Sequence, residues 1–83
     1  MLYLDRCQCR EVYEPVHAYV FTGPCFVTGK PYTVTVPGEA LFRMRQGVHI
    51  QHAWPESSAD DREFCISGTS PEGWTQLFGS EEG

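Results

Sequence analysis

Nowhere does the 83-residue chain approach the ~18–20 consecutive apolar residues that cross a bilayer. Met1-Leu2-Tyr3-Leu4 is followed at once by Asp5 and Arg6, far short of a secretory signal core. A cytoplasmic protein without membrane association is expected. Basic residues are scarce as well: six Lys and Arg stand against eleven Asp and Glu, for a net charge of −5. Tracking a phosphate backbone needs a stripe of cations, so direct binding of DNA or RNA is not expected. Low-complexity tracts, repeats and linkers are missing, which leaves one domain spanning residues 1–83.

The usual catalytic signatures are missing too, with no G-x-S-x-G, no H-E-x-x-H and no phosphate-cradling glycine loop. Thr28-Gly29-Lys30 has the ending of a phosphate loop without its earlier glycine or a following Ser or Thr, so it reads as a β-turn. A chain this short is expected to enclose only a small pocket, whereas ligand sites need about 300 Å³ or more. Enzymatic activity is not expected.

What is present is aromatic and unevenly charged. Aromatic residues make up 13% of the chain, and each buried ring removes roughly 150–250 Å² from water, enough to build a core without staples. Residues 56–83 hold Glu56, Asp60, Asp61, Glu63, Glu72, Glu81 and Glu82 against Arg62 alone, a net of −6. Such a block repels phosphates and attracts basic surfaces.

The pattern along the chain predicts an α+β fold: a small antiparallel meander or hairpin followed by three to four short helices. Residues 1–15 read as an irregular arm or an edge strand. Residues 16–36 read as the meander, with Thr22-Gly23-Pro24 and Gly29-Lys30-Pro31 as turns around a strand at Cys25–Thr28. Tyr32, Val34 and Val36 alternate with Thr33 and Thr35, the strongest strand signal in the chain. Residues 39–79 read as helices. Glu39 to Gln46 stops at Gly47, and one further turn is expected before Trp54-Pro55. Ser58 stands three residues before Asp61 as a capping box, and Gly68 closes that helix. Ser70-Pro71 opens the last one, whose Trp74, Leu77 and Phe78 share an apolar face expected in the core. Residues 80–83 read as a frayed acidic tail.

Two groups of residues merit a functional reading. Cys7-x-Cys9 and His49-x-x-His52 would together complete a tetrahedral donor set only under a structural-zinc reading, and since a one-residue gap is shorter than zinc knuckles use, no metal or other cofactor is expected. Cys25 and Cys65 sit in apolar contexts and read as small core residues. The acids Glu56, Asp60, Asp61, Glu63 and Glu72 form the candidate interaction surface. Trp54, at a helix break, is either a lid on the core or an interface anchor, with the lid favoured because a small domain needs its rings.

The run Cys25-x-Val27-Thr28-Gly29-Lys30, then Tyr32-x-Val34-x-Val36-Pro37, Ser58-Ala59-Asp60-Asp61-Arg62-Glu63-Phe64 and Ser70-Pro71-Glu72-Gly73-Trp74, resembles small proteins encoded by bacteriophages and prophages. The resemblance covers Cys25 to Gly79 and carries no assigned chemistry. It implies an accessory protein in the host bacterial cytoplasm that binds a host or viral protein, including as an inhibitor of host defence. The expected mode is stoichiometric docking on a basic protein surface. A zinc-stabilised module and a nucleic-acid mimic are the alternatives, and an unpaired strand edge leaves a homo-oligomer open.

Overall fold

The computed structural model describes residues 2–79. Among them, a three-stranded antiparallel sheet precedes four short helices, the α+β arrangement that the pattern predicts. The strands are β1 (Gln8–Val12), β2 (Ala18–Pro24) and β3 (Pro31–Pro37), adjacent in that order. The helices are α1 (Gly38–Arg45), α2 (Ile50–Ala53), α3 (Ala59–Ser67) and α4 (Pro71–Phe78). A single 3₁₀ turn, Tyr3–Arg6, precedes β1. The acidic tail expected over 80–83 lies outside the described residues. No helix among them is long and apolar enough to cross a membrane.

The meander is present, but its strands differ from the expectation in two places. Thr22-Gly23-Pro24 does not turn; it continues β2, with Gly23 opposite Tyr32 and Pro24 opposite Pro31. Cys25–Thr28 is the reversal itself. The Cys25 N–H donates to Lys30 O at 2.8 Å, the Gly29 N–H returns to Cys25 O at 2.8 Å, and Gly29 takes a φ of +75°. Gly23 is required inside the strand by a neighbour: a Cβ there would lie 2.7 Å from Cys7 Sγ. The third strand comes from the N-terminal arm instead. β1 pairs antiparallel with β2, Cys9 opposite Phe21 and Glu11 opposite Tyr19, so Gln8–Val12 form the edge strand, while Tyr3–Arg6 before it are a 3₁₀ turn.

On β3 the alternation has its expected consequence. Val34 and Val36 are buried and Tyr32 half-buried, while Thr33 and Thr35 face out. The helices roof this inner face. α1 contributes Ala40, Leu41 and Met44, α2 contributes Ile50 and Ala53, and α3 contributes Phe64 and Cys65. Leu4 of the 3₁₀ turn completes the cluster, and Phe64 packs edge-on to Tyr3 at 5.5 Å and against Tyr32 at 4.8 Å. Ser58 caps α3 as its spacing predicts: its Oγ accepts the Asp61 N–H at 3.1 Å. Gly68 then ends the helix with a left-handed φ of 81°.

α4 overturns an expectation. Trp74, Leu77 and Phe78 are not core, and the one buried residue of the helix is Gly73. The physical reason is occupancy. The sheet's inner face is already covered by α1, α3 and the 3₁₀ turn, so the last helix leans on the β2–β3 turn. Gly73 makes this approach possible, since a Cβ there would meet Cys25 Sγ at 2.8 Å and Val27 Cβ at 3.2 Å.

Candidate functional site

α4 begins with Ser70, whose Oγ accepts the Gly73 N–H at 3.2 Å, and with Pro71 at the first helical position. Both devices fix the helix start without any contact from its apolar side. The i, i+3, i+4 spacing then sets Trp74, Leu77 and Phe78 on one face, 37%, 56% and 68% exposed. Trp74 and Phe78 stack with centroids 4.5 Å apart and planes 22° from parallel. The tip of the β2–β3 turn adds another open ring, Phe26, whose N–H donates to Gly68 O at 2.7 Å and so ties the turn to the loop entering α4.

Beneath this surface sits Cys25, only 2% exposed. Its Sγ accepts N–H groups from Val27 at 3.4 Å, Thr28 at 3.5 Å and Ser70 at 3.3 Å. One sulfur therefore caps the turn and binds the first residue of the α4 cap to it. Burial pushes the thiol up, but the hydrogen bonds from Ser70 and Thr28 outweigh it and bring the pKa down to about 6. On the outside, Lys30 Nζ meets Glu72 Oε2 at 2.9 Å; both groups are well exposed, so this pair adds little stability.

The acids expected to form the interaction surface have divided roles. Glu56 and Asp60 are exposed. Asp61 accepts the Tyr32 hydroxyl at 2.9 Å, and burial together with this carboxylate pushes the phenol up to about 12. Glu63 accepts the Ser67 Oγ at 2.6 Å, and Glu72 faces Lys30. Three of the five carboxylates are thus held by local contacts, which leaves a thin row for imitating a phosphate backbone. Trp54 is 7% exposed and belongs to the core, with the Ser57 hydroxyl donating to its carbonyl at 2.7 Å. It is a lid and not an open anchor.

Nor are the zinc candidates assembled. Among the described residues, no three or more His, Cys, Asp or Glu side chains come together as a metal site. Cys7 turns toward Gly23 and the core, whereas Cys9 is exposed on β1. The His49 and His52 rings lie 6.3 Å apart, and His49 Nδ1 accepts the Gln51 N–H at 3.3 Å as the cap of α2. The capping role accounts for His49 without a metal.

Two features escaped the sequence reading. Glu11 Oε2 meets His17 Nε2 at 2.6 Å and accepts the Tyr19 hydroxyl at 3.3 Å, while Tyr13 stacks on His17 at 5.4 Å. The His17 contact holds the Glu11 carboxyl below its ordinary range. This exposed cluster latches the β1–β2 loop. Its signal was the register of Glu11 opposite Tyr19, which is visible only once β1 is known to be a strand. The second is a cleft of about 520 Å³ bounded by the 3₁₀ turn, α1 and α2, with Leu4, Leu41, Met44 and Ile50 in its wall. Its volume exceeds the small pocket expected from chain length. Asp5 and Arg45, which also line it, stand 3.7 Å apart.

Searched against family models, curated proteins and solved structures, the chain matches none of them.

Proposed function

We propose that the protein works by stoichiometric binding to another protein, with the aromatic face of α4 as the anchor and the acidic C-terminal third of the chain favouring a partner with a basic rim. The observation that carries this is the exposure of Trp74, Leu77 and Phe78 on one capped helix. Leaving such side chains partly in water forgoes a share of the roughly 1.5–3 kcal/mol that full burial of each would give. Total stability for a domain of this kind is only ~5–15 kcal/mol. A contiguous open apolar patch in a chain short of core material marks an interaction site. Trp is enriched among binding hot spots, and an amphipathic helix seated in a groove is a recurring recognition mode. The net of −6 over residues 56–83 supports a cationic counterpart. Under the resemblance of Cys25 to Gly79 to phage-encoded proteins, the partner proposed is a host or viral protein, and inhibition of host defence is the proposed consequence.

The test compares capture by the wild type, by Trp74→Ser/Phe78→Ser and by Phe42→Ser, an exposed apolar control on α1. The expected result is one stoichiometric partner held by wild type and control. The double variant should lose it by about 30-fold or more, the scale of a hot spot of ~2 kcal/mol. Equal capture by all three forms contradicts the reading.

A further inference from the structure

How α4 is attached is separate from what it binds, and the attachment is slight. The apolar core cluster runs from Leu4 to Cys65 and takes no residue from α4. Of Pro71–Phe78 only Gly73 is buried, and it has no side chain to contribute. Burial of apolar area is what holds one element to another, and little of it acts here. The ties from the helix to the β2–β3 turn are polar: the Ser70 N–H on Cys25 Sγ at 3.3 Å, and the exposed Lys30–Glu72 pair at 2.9 Å. A pair so open to water is weak. Helix α3, one loop earlier, differs in kind, since it sets Phe64 and Cys65 fully into the core.

A pivot lies between the two helices. Gly68 is fixed from two sides: its carbonyl accepts the Phe26 N–H at 2.7 Å, and a Cβ on it would stand 2.8 Å from the Tyr3 ring. Thr69 alone separates this fixed point from the Ser70 cap. We infer that α4 is a hinged arm, which lifts off the turn about Thr69 as one unit while the sheet and the other helices stay folded. Openings of this kind lie below global unfolding in free energy wherever buried apolar contacts are few. Lifting breaks the Ser70 and Lys30 ties, keeps the Gly68 tie and bares Cys25. Eight residues freed of the turn are too few to hold a helix in water, so each opening also dissolves the Trp74, Leu77 and Phe78 face. The docked arm is the form that carries that face.

Two buried thiols report the two kinds of opening: Cys25 beneath Gly73, and Cys65 in the core. The full chain is labelled with iodoacetamide through a urea series below its unfolding midpoint. Mass spectrometry reads each cysteine in its own peptide, with rates taken relative to the same peptide unfolded, and hydrogen exchange follows the amides of α3 and α4. Cys25 should label about 30-fold or more faster than Cys65, with little dependence on urea, because lifting the arm exposes little surface. Cys65 should follow urea with the slope of global unfolding. The α4 amides should open to the extent that Cys25 does, and the α3 amides with Cys65. Gly73→Ala puts a Cβ 2.8 Å from Cys25 Sγ and should raise Cys25 labelling and α4 exchange together by about tenfold, with Cys65 unmoved. Should that variant not fold, Glu72→Ala, which removes only the exposed tie, should move the same two readouts in the same direction. Equal urea slopes for Cys25 and Cys65 overturn the hinge, because α4 would then leave only when the whole domain unfolds. Fast Cys25 labelling with protected α4 amides overturns it as well, since the opening would belong to the turn. A folded variant that leaves both readouts unchanged does the same. Capture of a partner enters none of these measurements, so their failure leaves the proposed function standing.

Discussion

The Cys25 sulfur holds the β2–β3 turn and the cap of α4 at one point, so its ionisation reaches the stability of both. Its thiol titrates near 6 in the folded chain against an ordinary value of 9.0. Between these values the unfolded chain binds a proton that the folded chain does not, so stability rises with pH across that window and is lost as pH falls through 6. Cys65 runs the other way. Burial pushes it up to about 12, so its contribution is complete below 9 and fades as pH rises toward 12. The urea midpoint should therefore climb from pH 6 to 9, and Cys25→Ser should flatten that climb; an unchanged slope in the variant removes the thiolate account. The two tryptophans give a second comparison at this scale. Trp54→Ala empties a core site and should cost about 3–5 kcal/mol, while Trp74→Ser should cost less than ~1 kcal/mol. Similar losses in denaturant melts, whichever residue is changed, contradict the placement of Trp74 on the surface.

Among the elements, helix ends were far more legible than helix faces. Ser58 three residues before Asp61, Pro71 after Ser70, and glycines at 47, 68 and 79 mark boundaries through local chemistry, and local chemistry is what a sequence states directly. Ser58→Ala should lower stability by about 1 kcal/mol in thermal or urea melts, and a change within error would mean that the Asp61 N–H finds another acceptor. Faces depend on what else is present. Trp74, Leu77 and Phe78 have core spacing, but whether a core remains to receive them is settled by α1, α3 and the 3₁₀ turn. The β2–β3 boundary failed for a related reason. Gly23-Pro24 has turn composition, and its place in a strand is fixed by pairing with Pro31 and Tyr32 and by the approach of Cys7. For Trp54 the sequence left lid and anchor both open, favouring the lid because a small domain needs its rings, and its 7% exposure settles the choice.

For the whole molecule, charge and open apolar area are separate resources that meet at α4. The cleft of about 520 Å³ is lined by residues drawn from positions 2 to 66, so no sequence window displays it; the acidic block, being contiguous, was plain. Association that uses both should weaken as salt shortens the reach of exposed charges from ~10 Å at 0.1 M to ~3 Å at 1 M, yet persist in part through its apolar contact. The most direct check is the environment of the Trp74 ring. Trp54→Phe keeps an aromatic core and leaves Trp74 as the single tryptophan, since the chain has two. In dilute solution its emission should be intermediate and partly open to acrylamide, as a ring in a residue 37% exposed and stacked on Phe78 requires, turning bluer and protected once α4 is bound. Emission as blue and as protected as a fully buried ring's at every dilution would mean that the helix is packed within its own chain, and the docking face would not exist.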